Sequence, residues 1–393
     1  MSVDELKKII EDAGIVGAGG GGFPTHLKVD SRADTILLNC AECEPLLTVH
    51  QQLLTKYVRE ILSALGKLSE VLDADVIVAV KKSYTDTISA VKDAAIAMGM
   101  QSVQSADVST AMDSFPAPYE NGFTFPNNPR IRLALLHETY PAGDEILLIH
   151  ETTGKVVQPG TFPIESGCIV LNVETVYNIH NALEHGTAVT HKWLNVIGEV
   201  AQPATIRVAL GTPISEAIAA AGGTTIKKPA YISGGPMMGS PVTPSDTITK
   251  TTNAIIVLPD DHYLIRRFGS NRTADLNRVA SACCQCRTCT DLCPRNQIGY
   301  PIEPHKIMRA LSARDTASNA FHGAMYCSMC GICEMVACPQ SLAPRSLIKT
   351  FRKAMTEAGV RPQKCNASPI SDVIAYRKVD VNRLKMRLGL AKY

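Results

Sequence analysis

Cys283-Cys-Gln-Cys286-Arg-Thr-Cys289-Thr-Asp-Leu-Cys293-Pro294 carries the spacing Cys-x-x-Cys-x-x-Cys-x-x-x-Cys-Pro. Cys327-Ser-Met-Cys330-Gly-Ile-Cys333-Glu-Met-Val-Ala-Cys338-Pro339 repeats it with one extra residue before the last cysteine. Three thiolates at such short steps can take three corners of an iron-sulphur cubane, while the proline after the fourth ends the turn and carries that cysteine away. Zinc also takes four cysteines, but its sites join two Cys pairs across a longer finger and are not built from two compact runs of four. The last third of the chain is therefore expected to hold two 4Fe-4S clusters. A helical pattern over Pro304 to Leu311 lies between the runs and another, Ser346 to Met355, follows the second.

Run, helix, run, helix over about 80 residues resembles the dicluster bacterial-type ferredoxins. The resemblance implies cross-ligation, because there the fourth cysteine of each run reaches the other cluster. Cys283, Cys286, Cys289 and Cys338 would then share one cluster, and Cys327, Cys330, Cys333 and Cys293 the other. Cys284 breaks the spacing and reads as a spare thiol near a cluster; Cys40, Cys43, Cys168 and Cys365 have no ligand spacing and read as plain buried or loop cysteines.

Outward from this region, 393 residues with 45% hydrophobic and 19% charged side chains call for two or three globular domains. The N-terminus, MSVDELKK, is amphipathic, with no basic and then apolar leader, and the longest apolar runs are of strand length, so neither an export signal nor direct membrane insertion is expected. Thirteen cysteines without an export signal suit metal or redox chemistry in the cytoplasm better than disulfides. From residue 263 onward there are 21 Lys and Arg against 8 Asp and Glu, or +13, leaving −11 in front. Nucleic acid is a poor partner for the basic part, which has few aromatics to stack on bases. Lys and Arg there either offset thiolate-ligated clusters or form a surface for an acidic partner.

Near the N-terminus Gly17-Ala-Gly19-Gly20-Gly21-Gly22 satisfies G-x-G-x-x-G, but a Rossmann fingerprint must follow a strand. Here Ser2 and Glu5 form a capping box opening an amphipathic helix that ends at Gly14. The glycines alone could be a simple linker; their backbone amides, Gly19 to Gly22, could also cradle a phosphate with Lys28 close by. A strand from Ala33 to Asn39 runs into the polar loop Cys40-Ala-Glu42-Cys43-Glu44-Pro45. Further strands read as Ala74 to Lys81, Arg130 to His137 and Cys168 to Val173, with helices over Val49 to Val71 and Ser83 to Met98. This is an α/β layer pattern. In isolation Glu42 and Glu44 read as solvated loop acids.

Together, GAGGGGFPTHLK, NCAECEP, YPAGDE and LNVET resemble the FMN- and NADH-binding motifs of the flavoprotein subunit of respiratory complex I, in the same order. With the cysteine runs behind them, the chain is similar to the Rnf complex C subunit family and its soluble relatives, the microcompartment cobalamin reductases. The resemblance implies an α/β multidomain protein: a Rossmann-like FMN/NADH domain (1–188), a soluble-ligand-binding β-grasp domain (189–262), a helical dicluster 4Fe-4S domain (263–360) and a C-terminal tail (361–393). It places Gly17, Gly19, Gly20, Lys28, Asn39, Glu42, Tyr140, Gly143, Asp144, Asn172 and Thr175 on flavin-contacting positions, beside the phosphate-cradling amides of Gly21 and Gly22, and Glu44 and Glu145 where acids meet the nicotinamide nucleotide. Ala18 and Ala41 stand where the family has an Arg and an acid, and Asp144 shortens a Glu. The β-grasp region, from His191 through Ser233-Gly-Gly-Pro-Met-Met-Gly239 to Leu258, is expected to act as a spacer between flavin and clusters.

A hydride brings two electrons and a cluster accepts one, so a flavin is required upstream of the clusters. The implied activity is that of an NADH-dependent oxidoreductase, carrying electrons from NADH through FMN and two 4Fe-4S clusters to a cobalamin, a corrinoid enzyme or a small acidic electron carrier. Microcompartment shell or lumen proteins are implied as further partners, and a microcompartment as the location. The alternatives are an Rnf-type C subunit of a membrane NADH:ferredoxin oxidoreductase and a relay module that binds no NADH. The flavin domain begins at once, without the extra lipoyl-like region usual in the Rnf family, which favours the soluble reading.

Overall fold

The computed structural model of the chain describes all residues except 104–118, 125–129, 270, 316 and 371–377. Helix α1 (Val3–Asp12) opens with the expected box: the Ser2 hydroxyl accepts the Glu5 N–H and the Glu5 carboxylate accepts the Ser2 N–H, while Leu6 and Ile10 are buried. Strands β1 (Thr35–Cys40), β2 (Asp75–Lys81), β3 (Gln101–Val103), β4 (Tyr119–Thr124), β5 (Arg130–Leu136), β6 (Thr139–Tyr140) and β7 (Cys168–Asn172) follow, interleaved with α2 (Val49–Lys56), α3 (Val58–Leu72), α4 (Thr85–Ala97), α5 (Glu145–Thr153) and α6 (Val173–His185). The main sheet has the order β3-β4-β5-β2-β1-β7, with β5, β2, β1 and β7 parallel and β3 and β4 an antiparallel edge.

Period-two alternation sorts the parallel strands onto two covered faces. Ile36, Leu38, Val76, Val78 and Val80 pack with α1, α2, α3, α4 and α6. Leu37, Ile77, Ala79, Ala134 and Val170 pack with α5 and with Cys293, Ile298, Tyr300 and Ile302 of the cysteine-rich region. Burial on both faces is why these strands read as nearly continuous apolar runs. It also means that Cys293, the last cysteine of the first run, is seated against that sheet. The helix expected over residues 49–71 is broken at Tyr57 (φ −115°, ψ 34°), whose ring packs on Tyr177 and Trp193.

The β-grasp domain comprises β8 (His191–Gly198), β9 (Ala204–Ala209), α7 (Ile214–Ala220), β10 (Pro229–Ser233), β11 (Ser240–Val242) and β12 (Ala254–Pro259). Its sheet order is β11-β10-β12-β8-β9, with β12 parallel to β8. Ala217 and Ile218 of α7 cover Leu194, Val196, Ile255 and Val257. A wholly buried ion pair, Lys192 on β8 with Glu174 on α6, fixes this domain to the first.

The cysteine-rich domain contains α8 (Tyr263–Phe268), α9 (Arg272–Ala282), α10 (Thr288–Asp291), α11 (Pro294–Gln297), α12 (Pro304–Ala313) and α13 (Pro344–Glu357). Both runs use the same backbone device. Gln285 and Met329, two residues after the first cysteines, are left-handed (φ 54° and 62°), as are Arg287 and Gly331, four residues after (φ 66° and 82°). The extra residue of the second run is absorbed as a π-helical turn over Cys333–Ala337, the local form that a one-residue insertion in a helical turn takes.

Within the expected tail, 361–393, the described segments 361–370 and 378–393 bond back to the body of the protein. The Cys365 N–H donates to the Pro159 carbonyl and the Ser368 N–H to Gly299. Strand β13 (Val379–Asp380) pairs with β6, and α14 (Val381–Arg387) buries Leu384, with Leu388 and Leu390 beyond it, beside Tyr140, Met237 and Ile256. Apolar side chains at helical spacing explain the docking. Among the described residues no helix is long and apolar enough to cross a membrane.

Candidate functional site

The parallel strands β1, β2, β5 and β7 end on one edge, the place where open α/β sheets bind ligands. The glycine-rich loop folds over that edge. The Gly17 N–H donates to Phe23 O and the Gly22 N–H to Gly17 O, closing the loop on itself, while the Ala18 N–H donates to Thr175 Oγ1 at 3.0 Å. The amides of Gly19, Gly20 and Gly21 make no hydrogen bond among the described residues. Gly19 lies so close to Asn172 that a Cβ would stand 2.6 Å from its amide, and Gly20 has a φ of +104°, which a side chain would strain. A tight loop with unused amides suits an anionic phosphate. Behind it, Lys28 Nζ donates to Glu145 Oε1 (2.7 Å) and to the Val170 carbonyl of β7 (3.0 Å).

The second half of the site stands at the end of β1. Asn39 donates to Gly143 O (2.9 Å) and accepts the Ala41 N–H (3.1 Å), and Gly143 approaches the Ala41 carbonyl too closely to admit a Cβ. Glu42 caps α2 by accepting the Gln51 N–H at 3.1 Å, and burial pushes its carboxyl up to about 7. Glu44 Oε2 accepts the Met237 N–H at 2.8 Å, whereas its Oε1 is buried without a partner; burial pushes this carboxyl too up to about 7. Neither acid is the solvated loop residue that the local sequence suggests, because the β-grasp loop and the start of α2 close over them.

Three expected ligand positions are engaged with neighbouring protein. Tyr140, 2% exposed, donates its hydroxyl to the Cys330 carbonyl at 2.6 Å. Asp144 Oδ1 caps α5 by accepting the Ile146 and Leu147 N–H groups, and Oδ2 pairs with Arg295 at 2.9 Å. Glu44 meets Met237, whose carbonyl accepts from Arg345 Nη1 at 2.6 Å. These side chains tie the strand edge to the β-grasp loop and to the second cysteine run.

The cysteines fall into two sets. Cys289 feels Cys286, Cys338 and Cys283, and burial together with those thiols pushes it up to about 12. Cys293 and Cys333 are raised by burial and then by the second-run thiols Cys327 and Cys330, and Cys333 also by Cys293. Each set thus combines three cysteines of one run with the last of the other. Cys289, Cys293 and Cys333, whose ionisation burial and neighbouring thiols oppose, need cationic iron beside them to be thiolates, which is the chemistry a cluster supplies. Donors are already aimed at sulphur: Gln285 at Cys283, Thr288 at Cys286, and the N–H groups of Met329 and Leu342 at Cys327 and Cys338. Among the described residues no three His, Cys, Asp or Glu side chains converge as a single-ion site.

The two sets differ in setting. Cys293, Cys330 and Cys333 are each 8% exposed, and Cys293 packs in the core beneath the flavin-type sheet. Cys286 is exposed, Cys283, Cys289 and Cys338 are half-buried, and with Arg287, His305 and Gln340 they line an open cleft. Sequence reasoning missed Arg295, Arg345 and Lys192. Their partners lie 151, 108 and 18 residues away, so no local spacing announces them.

Family models match three successive stretches of the chain. The Nuo51 FMN-binding domain matches residues 10–181, the SLBB domain 194–241 and the 4Fe-4S dicluster domain 282–343. The cobalamin reductase PduS of Salmonella typhimurium is 35% identical over 395 residues, covering 100% of this chain and 80% of that protein. PduS of Citrobacter freundii is 36% identical over 99% of this chain and 79% of its own length. The C subunit of the Na(+)-translocating ferredoxin:NAD(+) oxidoreductase complex of Acetobacterium woodii is 29% identical, over 75% of this chain and 58% of its own length. In fold, a chain of an NAD+-reducing [NiFe]-hydrogenase matches with a TM-score of 0.56 at 20% identity, over 92% of this chain and 63% of that one. The matched domains assign FMN to the glycine-rich half and two 4Fe-4S clusters to the cysteine runs.

Proposed function

We propose, because this chain belongs to the family of the PduS cobalamin reductases, that it is an NADH-dependent oxidoreductase delivering single electrons to a cobalamin or corrinoid acceptor. FMN, when bound, converts the electron pair of a hydride into single electrons, which the clusters carry one at a time.

The observation that carries the reading is the contrast between the two cysteine sets. One is buried against the strand edge, held there by Arg295–Asp144 and Tyr140–Cys330; the other opens to solvent beside Arg287. Electrons would enter at the buried set and leave at the exposed one. In this reading Gly17, Gly19 to Gly22, Asn172 and Thr175 hold the FMN phosphate and ribityl chain, and Asn39 with Gly143 shapes the strand edge for the ring. Lys28 orients Glu145, the half-exposed acid placed to meet NADH. Glu42 and Glu44 act by positioning: one caps α2 and the other fixes the β-grasp loop. The acceptor meets the basic cluster domain, and residence in a cytoplasmic microcompartment, beside its shell or lumen proteins, follows the same reading.

The test is cob(II)alamin reduction by the cofactor-loaded protein with NADH, against ionic strength. Attraction between exposed charges is screened over roughly 10 Å at 0.1 M salt. For a protein-bound corrinoid, delivery should slow as salt rises, while flavin reduction by NADH changes little. The Acetobacterium likeness supports a second reading, an Rnf-type C subunit. Salt-resistant recovery with integral membrane proteins and no cobalamin reduction would favour that one.

A further inference from the structure

The β-grasp domain does more than separate the other two, because its loop Thr249-Lys-Thr-Thr-Asn253 lies directly over the glycine-rich loop. Lys250 Nζ donates to the Gly14 carbonyl at 2.5 Å, anchoring the loop at the end of α1. The Thr251 methyl stands 3.0 Å from where a Cβ on Gly22 would be, and Asn253 Nδ2 stands 3.9 Å from that place on Gly20. The loop is braced from within: the Thr249 N–H donates to Thr252 Oγ1, and the Thr249 hydroxyl bonds those of Thr251 and Thr252. Asn253 is held from behind as well, its carbonyl accepting the Asn195 N–H at 3.0 Å on β8.

Asn253 is 9% exposed, and its Oδ1 is buried with no hydrogen-bond partner. A buried amide oxygen without a donor is costly, and native structures rarely keep one unless something else satisfies it. Here the unsatisfied amide sits beside a loop whose own Gly19, Gly20 and Gly21 amides are also unused. A side-chain amide presents an NH2 donor group beside a carbonyl acceptor, which matches a phosphate ester beside a hydroxyl.

We propose that Asn253 is a flavin-phosphate ligand supplied by the β-grasp domain, its Nδ2 donating to the phosphate held by the glycine-rich loop and its Oδ1 accepting from the neighbouring ribityl hydroxyl. This rests on the reading that FMN binds at that loop. It makes the FMN site a two-domain site, so that flavin binding also clamps the β-grasp domain to the flavin domain.

The experiment titrates cluster-loaded, flavin-free protein with FMN and with riboflavin, following quenching of flavin fluorescence, for wild type, Asn253→Ala and Asn253→Asp. Asn253→Ala should raise the Kd for FMN about tenfold, equivalent to ~1.4 kcal/mol, and the Kd for riboflavin clearly less, because riboflavin lacks the phosphate. Asn253→Asp should bind FMN more weakly still, since a carboxylate would face the phosphate. Unchanged FMN affinity in either variant would overturn the proposal, and so would parallel losses for both flavins, which would give Asn253 only a part in holding its loop. Failure of the wild type to take up FMN would instead sink the flavin-site reading itself.

Discussion

Glu44→Gln should make the protein more stable in alkali and leave it unchanged in acid. In the folded chain the Glu44 carboxyl keeps its proton up to about pH 7, because burial opposes ionisation more than the Met237 N–H and the Arg345 charge favour it. The unfolded chain releases that proton near pH 4.5. Folding therefore takes up a proton between these values, and stability falls as pH rises through the window. A difference of this size is worth about 3 kcal/mol above pH 7 and nothing below the unfolded value. Glutamine is isosteric, its carbonyl can still accept the Met237 N–H, and it has no charge to bury. Thermal unfolding of cofactor-loaded protein, run anaerobically at pH 5 and pH 8.5, is the assay. The variant should melt several degrees above wild type at pH 8.5 and close to it at pH 5. Equal differences at the two pH values would refute the claim that Glu44 is a buried, late-titrating acid at the domain junction.

Cross-ligation predicts that Cys338→Ala, a change in the second run, disrupts the cluster built on Cys283, Cys286 and Cys289, with paramagnetic resonance of the reduced protein distinguishing the two; loss of only the cluster on Cys327, Cys330 and Cys333 would contradict it. Gly20→Val should release FMN, because a β-branched residue is strained at a φ of +104°, so the loop must change its backbone and with it the aim of its amides. Its iron content should stay at about eight atoms per chain, as two intact 4Fe-4S clusters require. Loss of iron together with flavin would mean that the loop serves the whole fold rather than the ligand.

Much of this architecture was legible in the residues because its signals are local. The strands announced themselves as apolar runs, α1 by Ser2 and Glu5, and the dicluster domain by cysteines at steps of three. The surplus residue of the second run was visible too, though not the π-helical turn at Cys333–Ala337 that absorbs it. What stayed hidden depends on contacts between distant segments. Glu44 read as a solvated acid because nothing near it shows that Gly235 to Met237 will cover it, and Asp144 read as a ligand although Arg295, 151 residues on, claims one oxygen. The break at Tyr57 likewise follows from packing on Tyr177 and Trp193, not from a helix-breaking residue. Residues 361–393 looked like a tail because short apolar spacing such as Val381, Leu384 and Leu388 is too weak a signal without the surface that receives it.

The central claim is that electrons enter from NADH at the flavin and leave through both clusters. Anaerobic titration of the FMN- and cluster-loaded protein with NADH tests it most directly, following the flavin absorbance and the paramagnetic signals of the reduced clusters together. The account predicts that NADH bleaches the flavin and that reduced-cluster signals appear in the same titration. A flavin that stays oxidised in excess NADH, while dithionite still reduces both flavin and clusters, would contradict it and leave a relay that takes no electrons from nicotinamide.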